Sequence, residues 1–512
     1  MIELSPNLRR VMILGLGVSG RAAARLATAR GLTVEARDSG DSAELAKRSG
    51  ELAELGVEVR LGAAALRPPQ RRPNLVVTSP GIPLDSELGG LARELGCPLV
   101  GELEFAAAHV QASLLGVTGS NGKTTTVELT VHCLRQAGVA AAAAGNIGRP
   151  LSEFALLPNP PSTIVVEVSS FQLETVRSLR FKAAALLNLT VDHLDRHGDF
   201  HAYASAKAKI LGTVPGAGQV IMREDLVSVA EFREGLQGLP GRPVLFSTTA
   251  PASRHADYFL AEDGSLCRRG SPDGTIQAFA DRGDLAMDGL HNVENALAAV
   301  ALCEQAGVAP RLAAQGLSGF RAGVHRLQTV FVHKGVRVVD DSKATNPDAL
   351  LRALQTLSAE QRSELRNGLF VGPESVRPMR IEPGRDRFPT YNWLDSHIAQ
   401  FPAEQQARRI ILIAGGLDKD MDFSPVKPWL SRTVKQVLCI GSCRQRLAAQ
   451  WSDAAPCEVC NDLSEAVALA VASAESGDTV LLSPGCASQD MFADYAERGR
   501  VFIETITREI KK

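Results

Sequence analysis

GVTGSNGKTTT, residues 116–126, sits between the apolar run SLLGVT (113–118) and a stretch with apolar residues at helical spacing (123–137). The phosphate-loop pattern G-x-x-x-x-G-K-[ST] calls for glycine at position 117, and Val117 stands there instead. The remaining parts are in order. Gly119, Ser120, Asn121 and Gly122 can turn the backbone so that several N–H groups face one anion. A helix beginning at Lys123 adds the partial positive charge of its N-terminus, with Thr125 also in its first turn. Lys123 is placed to reach terminal phosphates, and the Thr124 hydroxyl to hold Mg²⁺. A glycine turn with a surface lysine would not require strand, loop, GKT and helix in this order. The stretch is read as a nucleotide-binding turn in a parallel α/β sheet.

The same alternation continues on both sides. Strand-like runs VMIL (11–14), NLVVTS (74–79), TIVVEV (163–168), AAALLNL (183–189), RIILIAGG (409–416), QVLCIG (436–441) and DTVLLS (478–483) are separated by helical patterns such as 20–30 and 463–475. Strand and helix in alternation predict doubly wound domains, with ligands at the carboxyl ends of the strands. The 512 residues suggest about three domains. We place them at 1–101 (Rossmann-like), 102–322 (central, with the phosphate loop) and 323–512 (Rossmann-like). The stretch 356–408, rich in Arg, Glu and Pro with weak periodicity, reads as an insertion or long loop in the third.

Composition excludes several classes. A net charge of -2 gives no reason to expect nucleic acid or an anionic membrane as partner. No run reaches the roughly 18 apolar residues of a membrane span. Nine cysteines, scattered apart from Cys457 and Cys460, suit reduced thiols in the cytosol rather than a disulfide framework.

Other polar clusters fall at strand ends. Gly15, Gly17 and Gly20 make a G-x-G-x-x-G turn after VMIL, with Asp38 beyond it. Such a turn offers a helix N-terminus to any diphosphate, so a dinucleotide and a UDP group fit equally. Glu167, at the start of EVSSFQLE (167–174), stands where a magnesium ligand belongs beside a phosphate loop, or caps a turn. In NLTVDHLDRH (188–197), Asp192, His193, Asp195 and Arg196 crowd one loop, and a catalytic or metal role for His193 competes with a structural one. Lys207 by itself reads as a helix-surface lysine. Asn292 and Asn295 open a helix and could read a base or simply cap it. His325, Arg326, Asp340, Asp341, Lys343, Thr345, Asn346, Lys419 and the SPGCAS stretch (483–488) describe a polar rim on the third sheet.

These motifs in this order resemble the Mur ligase family of ATP-dependent amide-forming enzymes. GVTGSNGKTTT, GNIG (145–148), EVSSFQLE, NLTVDHLDRH, HNVENA (291–296), DDSKATN (340–346) and SPGCAS carry the resemblance, which spans nearly the whole chain except about 356–408. SSFQLE and DSKATN are similar to the glutamate-adding members. The missing first glycine is also the family's form of the loop. The resemblance implies a three-domain α/β fold that binds UDP-N-acetylmuramoyl-L-alanine, ATP and glutamate in turn. It implies peptidoglycan precursor synthesis by a cytoplasmic monomer, with no nucleic-acid or membrane partner.

Carried over residue by residue, the resemblance implies that Val18, Ser19, Asp38 and Ser39 meet uracil, and Ser79, Gly81 and Asn146 the diphosphate and sugar. Ser169 and Gln172 would also face the substrate. Gly119 to Thr125 would cradle ATP, with Asn292, Asn295, Arg326 and Asp341 at adenine, phosphate and ribose. Thr124, Glu167, His193 and a CO₂-carbamylated Lys207 would hold Mg²⁺ at two sites. Lys343, Thr345, Lys419, Ser488 and Tyr495 would lie near the reacting group and the amino acid. Lys123, Glu167, His193, Lys207 and Lys343 would be the catalytic set. Two features depart from the family: SPGCASQDMFADYAERG (483–499) carries Gln489 and Tyr495 where the family's loop has an apolar residue and another aromatic, and the insertion interrupts the same site. L-Glutamate therefore stands beside D-glutamate. An NAD(P) oxidoreductase gives GSNGKT no task, and a nucleotide-binding regulatory module would need a lost catalytic group.

Overall fold

In the computed structural model, three sheets are built in succession along the chain. The description covers residues 8–216, 218–239, 241–249, 255–270, 274–287, 289–363, 408–417 and 419–511. The first sheet has five parallel strands in the order Glu58–Leu61, Thr33–Asp38, Arg10–Leu14, Leu75–Thr78, Leu99–Gly101. Reversal of strand order beside Arg10–Leu14 opens a crevice at its carboxyl end, where the glycine turn lies. The second sheet has nine strands. Ala141–Gly145, Thr163–Glu167, Ser113–Thr118, Ala183–Leu186, Gln219–Arg223, Val244–Ser247 and Tyr258–Leu260 run parallel, with Ser113–Thr118 near the middle. Ser265–Arg269 and Ile276–Asp281 extend it antiparallel, a meander the alternation rule does not foresee. The third sheet orders Gln328–His333, Val336–Asp340, Thr479–Leu482, Ile410–Gly415, Val434–Ile440, Cys457–Val459, parallel except for the first hairpin.

The central strands are almost wholly apolar because helices cover both faces. Leu115 and Val117 are fully buried against one helical layer and Leu114 against the other. The alanine-rich run over 140–144 becomes the edge strand Ala141–Gly145, and its small side chains admit close helix packing.

The chain divides into two compact units, Met1–Ala322 and Gly323–Lys512. The expected cut near 101 lies inside the first unit, where strand Leu99–Gly101 runs directly into helix Glu102–Ala107. There, Glu102 accepts a hydrogen bond from Ser152 N (2.7 Å), and Glu104 accepts from Arg177 N, Ser178 N and the Ser178 hydroxyl. The expected loop at 356–408 is corrected at its start: helix Pro347–Ser363 continues through it, with Thr356 and Ser358 buried. The rest of that expected insertion, 364–407, lies outside the described residues.

Candidate active site

The first unit carries two glycine turns, each at the start of a helix. In the first sheet, helix Val18–Ala29 starts at Gly17 without a side-chain cap, so its N–H groups point into the crevice. Gly20 is required by packing: a Cβ there would collide with Gly15 O and lie 2.7 Å from Ser79 Oγ. Ser79 Oγ donates to Gly15 O at 3.2 Å and ties the SPGI turn to the glycine turn. Asp38, read from sequence as a ligand-facing acid, has both oxygens engaged by backbone, accepting from Leu16 N (2.8 Å) and Gly40 N (3.0 Å). Its carboxylate shapes the turn. Val18, Ser39 and Gly81 are exposed beside it.

The phosphate loop follows Ser113–Thr118 and ends at Gly122, whose φ of 81° begins helix Lys123–Gln136. That left-handed angle, and the collision a Cβ would make with Asn295 Oδ1, leave glycine as the residue that fits. The loop is sewn to the neighbouring NLT segment. Ser120 N donates to Asn188 O (3.1 Å), Asn121 N to Asn188 Oδ1 (2.8 Å), and Asn188 Nδ2 returns a bond to Asn121 O (3.0 Å). The Ser120 hydroxyl donates to Thr190 O (2.9 Å) and meets the Tyr203 hydroxyl at 3.0 Å. Of the N–H groups in this turn, those of Ser120 and Asn121 are spent on Asn188. The helix N-terminus and Lys123 remain to meet an anion. Lys123 Nζ lies over the loop, donating to Gly119 O (2.8 Å) and Ser120 O (2.7 Å).

Thr124, Glu167, Asn146 and Lys207 gather beside it. Thr124 Oγ1 donates to Glu167 Oε2 (2.7 Å), and Asn146 Nδ2 to Glu167 Oε1 (3.0 Å). Lys207 is not a surface lysine. It is 1% exposed, lies 4.6 Å over the Tyr203 ring and donates to Gly119 O at 2.8 Å. Burial, then the nearby Lys123 charge, hold its ammonium well below the usual lysine range, against the pull of Asp192 and Glu167. His193 has a left-handed backbone (φ 54°) and packs edge-on against Phe171 at 4.9 Å. Phe171 also stacks on His197, and Arg196 donates to Glu174 (2.8 Å), so helix Ser170–Glu174 fastens this loop. Among the described residues no group of three or more His, Cys, Asp or Glu side chains is gathered around one point.

Ser169 and Gln172, expected to face the substrate, bond to each other. Ser169 Oγ accepts from Gln172 N (3.2 Å) while Gln172 Oε1 accepts from Ser169 N (2.9 Å). This is a capping box, and S-x-x-Q before an apolar run is its sequence sign. Asn292 and Asn295 lie in the first turns of helix Leu290–Gln305, where no side chain caps the helix. Asn295 Oδ1 accepts from Thr126 Oγ1 (3.2 Å) and its Nδ2 donates to Asn292 Oδ1 (3.2 Å).

In the second unit, Asp340 and Asp341 end a strand. Asp340 Oδ2 pairs with His325 Nδ1 at 2.6 Å. Asp341 accepts from the Ser483 hydroxyl (2.8 Å) and Leu327 N (3.0 Å), and burial pushes its carboxyl up to about 7 despite those bonds. Lys343 Nζ sits 4.8 Å over the Tyr495 ring. Thr345 and Lys419 are half-buried on the same unit, and Ser488 is buried with its hydroxyl lacking a partner. The Arg326 Nη2 is likewise buried without a partner. Sequence reasoning missed Arg498, which is fully buried. Its guanidinium donates to Cys486 O (3.1 Å), Ala487 O (3.3 Å), Ser342 O (2.8 Å) and Ser342 Oγ (3.0 Å), binding the DSK and CAS loops together.

Residues 117–303 match the model of the Mur ligase middle domain, and 395–486 that of the Mur ligase glutamate ligase domain. UDP-N-acetylmuramoylalanine–D-glutamate ligase of Koribacter versatilis is 34% identical, over 98% of this chain and 97% of its own. This chain belongs to the Mur ligase family. The ligases of the same description from Chromobacterium violaceum (36%, 97% of each chain) and Frankia casuarinae (37%, 97% of this chain and 93% of that one) are comparably similar. Among solved structures, Thermotoga maritima MurC (18% identity, 98% and 99% coverage, TM-score 0.56) shares the fold. So does Thermotoga maritima MurF in complex with ADP (14%, 100% and 99%, TM-score 0.54). The Mur ligase three-domain α/β fold is therefore the frame for both turns.

Proposed function

We propose that the chain joins D-glutamate to the L-alanyl carboxylate of UDP-N-acetylmuramoyl-L-alanine, converting ATP to ADP and phosphate, in peptidoglycan precursor synthesis. The observation that carries this is similarity along almost the entire chain to ligases described by that reaction. The reading assigns the first sheet's crevice to the UDP group, the phosphate loop to ATP and the third sheet's rim to glutamate. It takes residues 1–101, 102–322 and 323–512 as the three domains, and the working protein as a cytoplasmic monomer. No described helix is long and apolar enough to cross a membrane.

A carboxylate at neutral pH is a poor electrophile. Transfer of the ATP γ-phosphoryl group gives an acyl phosphate with a good leaving group. The glutamate amine attacks, a tetrahedral intermediate forms, and phosphate departs. Lys123 would offset charge on the transferring group. Thr124, Glu167, His193 and Lys207 are the residues that would hold Mg²⁺, and their donor chemistry fits: Glu167 is already turned toward the phosphate-loop threonine. The metal, when bound, neutralises phosphate charge and positions the γ-phosphoryl group. Lys207, buried and held toward its neutral amine, suits carbamylation by CO₂, which would make it an anionic ligand. Arg326 and Asp341 would hold the nucleotide, and Lys343, Thr345, Lys419, Ser488 and Tyr495 the reacting group and glutamate.

The test is phosphate release from ATP with Mg²⁺ and UDP-N-acetylmuramoyl-L-alanine, with D- or L-glutamate in parallel. Release with D-glutamate and the matching product mass is expected. Release with L-glutamate alone would overturn the stereochemistry, and no release with either would overturn the ligase reading.

A further inference from the structure

One pair of reactive groups in the second unit has no part in the chemistry above. Cys443 Sγ and Cys486 Sγ lie 3.4 Å apart, both buried, on segments 43 residues apart in sequence. Cys443 precedes helix Arg444–Trp451, and its N–H donates to Gly416 O (3.1 Å). Cys486 lies in the SPGCAS loop, whose next residue, Ala487, accepts from Leu417 N (2.9 Å) and from Arg498. The two thiols therefore join the loop placed at the amino-acid end of the site to a helix outside it. Both thiols belong to the buried core of the second unit, with exposed Ser442 immediately before Cys443 and exposed Gln489 three residues after Cys486.

We propose that Cys443 and Cys486 form a reversible dithiol–disulfide site, oxidised by hydrogen peroxide or another small peroxide, that holds the SPGCAS loop in an inactive position. A disulfide needs sulfurs about 2.05 Å apart, so closure requires movement of roughly 1.3 Å from the separation in the reduced form. The Cys443 thiolate attacks one peroxide oxygen. The O–O bond breaks, one water leaves after protonation, and Cys443 becomes a sulfenic acid. The Cys486 thiolate then attacks the Cys443 sulfur and expels the hydroxide as a second water. Two thiols lose two electrons and two protons, and one peroxide becomes two waters. Helix Arg444–Trp451 is held by the buried Leu447 and Trp451 and the loop by Arg498, so closure strains both, and any shift of the loop moves Ser488, two residues beyond Cys486. A displacement of about 1 Å in a positioning loop is enough to cost up to about 100-fold in rate.

The effect on activity rests on the ligase reading, whereas formation of the bond does not. The experiment exposes the full chain to hydrogen peroxide, then reads intact mass, a non-reducing peptide map and phosphate release with D-glutamate, before and after a thiol reductant. Expected are a loss of about 2 Da, one cross-linked peptide pair containing residues 443 and 486, and at least a roughly tenfold fall in rate restored by reductant. Cys443→Ala should keep its reduced-state rate through the same treatment, and Cys443→Ser serves if the alanine variant folds poorly. A cross-link elsewhere, oxygen addition to separate thiols, an unchanged rate in the cross-linked protein, or equal inactivation of Cys443→Ala would each overturn the proposal. Reduced protein that releases no phosphate would fail the ligase reading alone, with mass and peptide map still deciding the thiol pair.

Discussion

Asn188 illustrates what a single side chain contributes. Its amide makes two hydrogen bonds to Asn121 and its backbone carbonyl receives a third from Ser120, so it fixes the phosphate loop from outside. Asn188→Ala removes the two side-chain bonds, each contributing about 1 kcal/mol. Folding stability, measured by denaturant unfolding, should fall by about 2 kcal/mol, and ATP affinity, measured by calorimetry, roughly 5- to 50-fold as the loop loses its fixed shape. Lys123→Ala removes a charge needed on the transferring phosphoryl group. Phosphate release should fall by about 10²–10³ or more, while affinity for the UDP-linked substrate stays within about threefold. Sequence made Lys123 legible because the GKT pattern fixes its place on a helix. It left Asn188 unread, because an asparagine after a strand carries no mark of the loop it will meet.

At the scale of elements, Glu102 begins the helix that follows the last strand of the first sheet. One oxygen accepts from Ser152 N, and the other is buried without a partner. Burial pushes its carboxyl up to about 7. The folded chain therefore holds a proton that the unfolded chain releases near about pH 4.3, and between those values the unfolded state binds fewer protons. Stability from this group falls as pH rises from about 4.3 to about 7 and is flat above. Each tenfold difference in proton affinity between the folded and unfolded chains corresponds to about 1.4 kcal/mol, so Glu102→Gln should raise Tm at pH 8 and match the parent at pH 4. A variant whose Tm differs from the parent equally at both pH values would contradict this. Gly20→Val tests the close approach of helix Val18–Ala29 to the glycine turn. Its side chain would meet Gly15 O and Ser79 Oγ, so it should cost several kcal/mol in denaturant unfolding and abolish binding of the UDP-linked substrate.

Across the whole molecule, the proposed chemistry is divided between two units, with the diphosphate and phosphate turns in Met1–Ala322 and Lys343 in Gly323–Lys512. Lys343→Ala should lower phosphate release at least about 100-fold and change calorimetric affinity for the UDP-linked substrate by less than about threefold. The sequence by itself determined the parallel α/β class and the two glycine turns that each open a helix. Those depend on neighbours within one strand–turn–helix unit, where glycine spacing and apolar runs act through local backbone geometry. Only the tertiary structure decided that Lys207 is buried under Gly119, that Asp38 braces the glycine turn through Leu16 N and that Arg498 binds two loops. Most of these outcomes depend on segments tens to more than a hundred residues apart. Burial, which moves a lysine's charge and strands an arginine among carbonyls, is set by what those distant segments bring to the same place.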